Sequence, residues 1–548
     1  MRPRNFRETT MTRHTPSRTM RIGAALLTAA LLSSTALTAQ AETPPNMLVI
    51  AQRIDDIKTM DPAESFEFTG ADISRNVYEA LVDFDPMDLD AGFQPALAES
   101  WEVSEDGTQI TFTMADGHVF ASGNPVTAKD AEFSLRRAVM LNKTPSFILT
   151  QFGFTPENAE ETIVAPDEKT LVLKLDKAYA VSFVLNCLAA TIGGIVDMET
   201  VMANEVDGDM GNAWLRDNTA GSGPYKLASW KPDESYTLDL NPEYPGDAPA
   251  MKRVIVQHIQ ESATQRLQLE RGDVDIARNL SPEDVAGLES VDSVKVVDEL
   301  RGRLMYWSAN QKNEMLSNPK VLEAMKFATD YTGMQDSFLK GQYINHQAFL
   351  PKTFMGAIDD LPYSFDIEKA KALLAEAGYP EGFDITINVR DAQDRIDIGQ
   401  SLQNTWGQIG INVEMIVGTG AQTLDTYRAR EHDIYLGAWG PDYPDPNTNA
   451  GTFAYNPDNS DEAGATGLLA WRNAWALPDM SNETLAAVVE QDSEKRAEMY
   501  RELQREHMAT SPFGIMFQQI EQNAMQDGVE HFVAGGATTA VSYWVVTK

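Results

Sequence analysis

The sequence predicts an α/β protein, and three stretches of its second half carry that prediction. DIEKAKALLAEAGY reads as an amphipathic helix closed by Gly378 and followed by the strand FDITINV. IGQSLQNTWGQIG repeats the arrangement, closed by Gly410 and followed by INVEMIV, and the short helix TYRAREH leads into the strand DIYLGAW. Strands alternating with helices of roughly 8–14 residues imply a mostly parallel, doubly wound sheet. Ligands of such sheets bind outside the carboxyl ends of the strands.

The first 41 residues are expected to be a secretory signal peptide. Arg13, Arg18 and Arg21 precede an apolar run from Ile22 to Leu37, and Ala39-Gln40-Ala41 gives the small-x-small pattern of a cleavage site. No later segment reaches the ~18 consecutive apolar residues that a spanning helix needs. Cleavage removes six arginines and one glutamate and takes the formal charge from −37 to −42. Such acidity repels nucleic acid and anionic lipid and favours solubility. Cys187, inside VLNCLAA, is the only cysteine, so no intrachain disulfide forms and none carries a lipid at the cleavage site. A mature chain of 507 residues holds together by core burial instead. The expectation is a free periplasmic protein.

The first third reads as α+β with antiparallel pieces. MLVIAQRIDDIKTMDP is a strand and turn, and SRNVYEALVDF an amphipathic helix. SWEVSEDGTQITFTM alternates Trp101 and Val103, then Ile110, Phe112 and Met114, around Asp106-Gly107, which signals a hairpin. Thr127 and Asp130 form a capping-box-like start for a helix through Met140, and KTLVLKL alternates again. From Ser222, GPYKLASW and SYTLDL make a second hairpin. MKRVIVQHI, TQRLQLERG and DVDIA then make a β-α-β unit.

The stretch DIYLGAWGPDYPDPNTN, Asp433 to Asn449, carries the chemistry. A strand ends in a stiff, anionic, aromatic loop on the side where a ligand is expected. Asp beside Pro is favoured in turns for backbone reasons alone, which is an even alternative for Asp445. Asp442, between Trp439 and Tyr443, suits a cation anchor: a carboxylate takes a charge-assisted bond from an ammonium, and aromatic faces add cation–π attraction. Trp439 also lies in strand register, where plain packing explains it.

Enzyme signatures are thin. Gly221-Ser222-Gly223 lacks the outer glycines of a nucleophile elbow. Gly418-Thr419-Gly420 lacks the third glycine of a dinucleotide loop. Asp83, Asp85, Asp88 and Asp90 resemble a calcium loop, but its sixth position is Asp88 and its twelfth Gln94. A secreted hydrolase using Asp442 and Asp445 as paired carboxylates is a remote alternative.

PALAESWEVSEDGTQITFTMADGHVFASGNPVTAKDAEFSLRRA resembles the signature block of the family 5 extracellular solute-binding proteins, the dipeptide- and oligopeptide-binding receptors of ABC importers. RNVYEALVDFD, GSGPYKLASWKPDESYTLDLNPEY, QLERGDVDIA, NPKVLEAMKFATDY, DIEKAKALLAEAGYPEGF and YPDP match further blocks in the same order. The resemblance covers essentially the whole mature chain.

It implies a two-lobe periplasmic-binding-protein clamshell of class II, the large type with an extra subdomain on lobe one. The implied boundaries are 1–41 signal peptide, 42–75 and 220–300 lobe one, 76–219 extra subdomain, 301–513 lobe two, and 514–548 a return to lobe one. MYWSANQ and FGIMFQQIEQ are the implied hinge crossings. The implied function is capture of a short peptide in the cleft and delivery to ABC permease subunits. The implied receptor is a monomer without a cofactor and without nucleic-acid or membrane partners. An opine, a nickel chelate, haem or an oligosaccharide is the alternative ligand on this fold.

The family motif places the anchor for the ligand's ammonium on Asp442, with Trp439 and Tyr443 beside it. The arginine that oligopeptide binders carry six residues earlier is replaced here by Leu436. Dipeptide binders instead use an arginine near DAQDRIDIGQSLQNTW, where Arg395 is the candidate carboxylate partner and Arg390 its competitor. Phe68 and Thr69 complete the expected ligand contacts.

Overall fold

The computed structural model describes residues 43–88, 91–533 and 540–548; the expected signal peptide and Asp90 lie outside the described residues. The main sheet has 11 strands. At its centre two long strands, Val294–Ala309 and Phe513–Gln526, pair antiparallel and serve both halves. Their register breaks between Leu300, opposite Ile520, and Leu304, opposite Gln518. The residues inserted there form a bulge, which disrupts the ladder and bends the strand.

On one side of these strands, Met47–Gln52 lies between Arg253–His258 and Ile276–Ala277, parallel to both. The helix Ser262–Glu270 makes the crossover of the expected β-α-β unit. The hairpin of Tyr225–Lys231 and Ser235–Leu240 extends this edge. Leu48, Ile50, Tyr225, Val254 and Val256 fill the core.

A separate four-stranded antiparallel sheet contains the first expected hairpin, Ala98–Val103 with Gln109–Met114. Ile110, Phe112 and Met114 alternate inward from it, as the period of two requires. The helix Ala128–Leu141 packs here. Its capping box joins the Thr127 side chain to a helix N–H while the Asp130 carboxylate accepts from the Thr127 N–H. Cys187 is free and buried in the same core.

The helix expected over 74–84 is displaced. It spans Phe68–Val77, and Val82–Phe84 is a strand. Tyr78 belongs to the core around Leu48 and Ile50, whereas Leu81 belongs to that of the four-stranded sheet. A chain passing from one core to another cannot hold both side chains on one helical face, so packing overrides the local pattern.

On the other side of the long strands, Phe383–Arg390 lies parallel to both Ile411–Gly418 and Ile434–Trp439. The doubly wound expectation holds for these three strands only. Ile434–Trp439 is antiparallel to Val294–Ala309, so the sheet is mixed. Gly378 and Gly410 take positive φ after their helices, in the left-handed conformation glycine adopts without a Cβ penalty. The helix expected at TYRAREH spans Gly420–Arg428 and is capped by Thr419 and Gln422. That assigns Gly418-Thr419-Gly420 to a strand end and a helix cap.

Candidate ligand-binding site

The strand Ile434–Trp439 ends at the loop GPDYPDP. Asp445 caps the next helix, Pro446–Phe453, by accepting from the Asn447 N–H, and Pro446 occupies its first turn, where a missing N–H costs nothing. Both Asp445 oxygens also accept from Arg496, at 2.7 and 2.8 Å, in a fully buried bidentate pair. Arg496 is braced by the Ala487 carbonyl and the Tyr500 hydroxyl. Asp445 therefore builds the loop, and the paired-carboxylate reading loses one of its two members to this structural contact.

Asp442 behaves differently. Its backbone N–H donates to Thr448 Oγ1 at 3.0 Å, which fixes the backbone, while its carboxylate has no ion-pair partner among the described residues. Burial alone pushes its pKa up to about 7. A desolvated carboxylate without a counter-ion is costly, and a bound cation removes that cost.

Asp442 lines a cavity of about 740 Å³. One wall consists of residues 352–355 and 440–444, the other of residues 65–68, Ala71, Ser74, Arg75 and Tyr78 with the C-terminal Ser542 and Trp544. Residues 189–192 and Ile148, beside the four-stranded sheet, close a third side. Volumes of roughly 300–1,000 Å³ hold small organic ligands. Phe66 and Phe68 present large apolar surface to this space, 40% and 51% exposed. Phe68 reaches the opposite wall: a Cβ built on Gly440 meets its ring at 3.9 Å.

Of the residues singled out from the sequence, Asp442, Tyr443 and Phe68 line this cavity. Thr69 is buried beside it, its N–H donating to Asp56 at 3.2 Å. Trp439 packs edge-on against Phe453, with ring centroids 5.8 Å apart, in the core behind the loop. Arg395 lies in the first turn of Gln393–Gly407, buried, paired with its neighbour Asp394 and outside the cavity lining. Arg390 is exposed and likewise outside the lining. Asp83, from the calcium-like run, pairs with Arg75.

Tyr443 reaches further than a ligand contact. Its ring lies 5.8 Å from that of Phe183, and its side chain is buried in the core of the four-stranded sheet. Asn186 adds a 3.4 Å contact to Asp445, and the Ala180 N–H donates to the Val488 carbonyl. The loop thus packs against the core of the four-stranded sheet as well as lining the cavity.

Residues 92–461 match the family described as bacterial extracellular solute-binding proteins, family 5 Middle. The chain belongs to this family. Among relatives, it is similar to the probable D,D-dipeptide-binding periplasmic protein DdpA of Escherichia coli strain K12, 30% identical over 512 residues, covering 92% of this chain and 95% of that protein. Among solved structures, HbpA2 from Haemophilus parasuis superimposes with a TM-score of 0.78 at 22% identity, over 92% of this chain and 99% of that one. DppA from Helicobacter pylori, in complex with the peptide STSA, gives 0.76 at 24% identity, over 91% and 98%. The protein is therefore a periplasmic solute-binding protein of an ABC transporter with a two-lobe α/β fold. No helix among the described residues is long and apolar enough to cross a membrane.

Sequence reasoning missed Phe66, Arg75, Lys352, Phe354 and Trp544 as parts of the receptor's cavity. Each lies in a segment with its own local explanation. Only the tertiary fold brings them together, and no spacing along the chain encodes it.

Proposed function

We propose that this receptor captures short peptides through their α-ammonium, which Asp442 holds inside the closed cleft. The carrying observation is the part-buried Asp442 carboxylate, unpaired among the described residues and lining the cavity. An ammonium placed there gains a charge-assisted bond in a water-poor space. Phe66, Phe68 and Phe354 supply apolar walls for side chains, and the cavity exceeds what a single amino acid fills. The name of the E. coli relative supports including D,D-dipeptides among the candidates.

In this reading residues 42–75, 220–300 and 514–548 form lobe one, 76–219 the extra subdomain and 301–513 lobe two. The register break between Leu300 and Leu304 supports a hinge there. The loaded, closed receptor then presents the peptide to its permease.

A thermal-shift panel of di- to pentapeptides, D,D-dipeptides included, with an opine, haem, a nickel chelate and an oligosaccharide as comparators, tests the reading. Ligand at a hundredfold excess over Kd stabilises by about 2.7 kcal/mol. Peptides are expected to raise the melting temperature, and N-acetylated peptides to fail. Stabilisation by a comparator and by no peptide overturns the peptide reading.

A further inference from the structure

A peptide that presents its ammonium to Asp442 brings a carboxylate into the same cavity. The described lining offers only two cationic side chains, Arg75 and Lys352.

Arg75 is committed. It pairs with Asp83, contacts Ser542 Oγ at 3.3 Å and the Phe84 carbonyl at 3.4 Å, and stacks 4.9 Å from the Trp544 ring. A guanidinium fixed by an anion, a hydroxyl, a carbonyl and an aromatic face has little freedom to turn towards a ligand.

Lys352 is held in the opposite way. Its backbone is anchored: the N–H donates to Gln518 Oε1 at 3.0 Å, and Gln518 Nε2 donates to the Arg301 carbonyl at the register break. Its ammonium has one ion-pair partner among the described residues, Asp359 at 2.8 Å, whose side chain is 79% exposed. Such exposed pairs are weak and exchange readily with solvent.

We infer that Lys352 is the residue that takes the ligand's carboxylate, releasing Asp359 as it does so. This rests on the peptide reading of Asp442. An ammonium on a flexible four-carbon stem acts as a movable point charge rather than a fixed fork. It therefore suits carboxylates at several distances from Asp442, so peptides of more than one length are accepted.

The test compares free-acid and C-terminally amidated forms of one peptide by calorimetry on the full chain. Lys352→Met is expected to weaken the acid about tenfold and leave the amide unchanged, and Lys352→Arg to retain most acid affinity. Asp359→Asn, which removes only the competing partner, is expected to tighten the acid severalfold. Equal losses for acid and amide in Lys352→Met, or no loss in either, overturn the assignment. So does selective loss of the acid in Arg395→Ala with Lys352→Met unaffected. If the wild type binds neither form, the peptide reading itself fails and the assignment with it.

Discussion

Asp442 and Asp445 stand three residues apart on one loop, yet one carboxylate is unpaired among the described residues and the other is locked to Arg496 by two hydrogen bonds. The second makes the first possible. A rigid, capped and prolyl backbone loses little freedom when a ligand arrives, so more of the interaction appears as affinity.

Asp442→Asn keeps the shape and removes the charge. Affinity for a free-amine peptide is expected to fall at least about thirtyfold, in line with truncating one partner of a buried charge pair. N-acetylation of the peptide should reproduce that loss on the wild type and add little on the variant. Equal binding of acetylated and free peptides to the wild type removes Asp442 from the role.

The same variant should be more stable without ligand. The Asp442 pKa is raised in the folded protein to about 7, so the folded state binds more protons than the unfolded chain between the usual carboxylate range and pH 7. The burial cost is therefore full above pH 7 and fades as pH falls through that window. Asp442→Asn is expected to gain up to about 4 kcal/mol at pH 8 and almost nothing near pH 4. Denaturant midpoints of both proteins across pH measure this. Ligand affinity should fall up to about tenfold per pH unit below 7, because the carboxylate must lose its proton to bind.

Arg496→Met leaves the buried Asp445 carboxylate without its partner. The expected cost is about 3–5 kcal/mol of stability. Chemical denaturation checks it, and a loss below about 1 kcal/mol would show that the pair is dispensable.

Lys326 offers an independent pH signature. It is buried and donates to the carbonyls of Met508 and Ser511, both at 2.9 Å, and burial lowers its pKa to about 7 against a weak opposing pull from Glu323. The unfolded chain then binds more protons between about pH 7 and the ordinary lysine range, so stability from this residue rises with pH across that window. Lys326→Met should lose this slope while other titrations continue. Identical slopes in the two proteins place the Lys326 pKa at its ordinary value.

The β-hairpins, the β-α-β unit and the glycine-closed helices were legible because each is fixed by local alternation, capping or φ. The helix expected over 74–84 was not, since Tyr78 and Leu81 serve different cores. The long central strands were legible only as two short crossings. Their pairing joins residues more than 200 apart, and no local period reports it. In the site, Asp442 stood out because a strand end, a carboxylate and aromatics coincide. Lys352 was invisible in FLPKTF, where nothing marks which direction an isolated lysine faces.

The Tyr443 ring packs 5.8 Å from that of Phe183 and is buried with its neighbours in the core of the four-stranded sheet. Under the proposed hinge that contact breaks as the cleft opens, so it favours closure whatever the cleft holds, and a fraction of receptors should shut while empty. Such decoys compete with loaded receptors at the permease, and the transporter's economy then depends on how well it tells the two apart. Tyr443→Ala should deplete the decoys as well as weaken capture, trading retention of cargo for fewer idle encounters at the membrane.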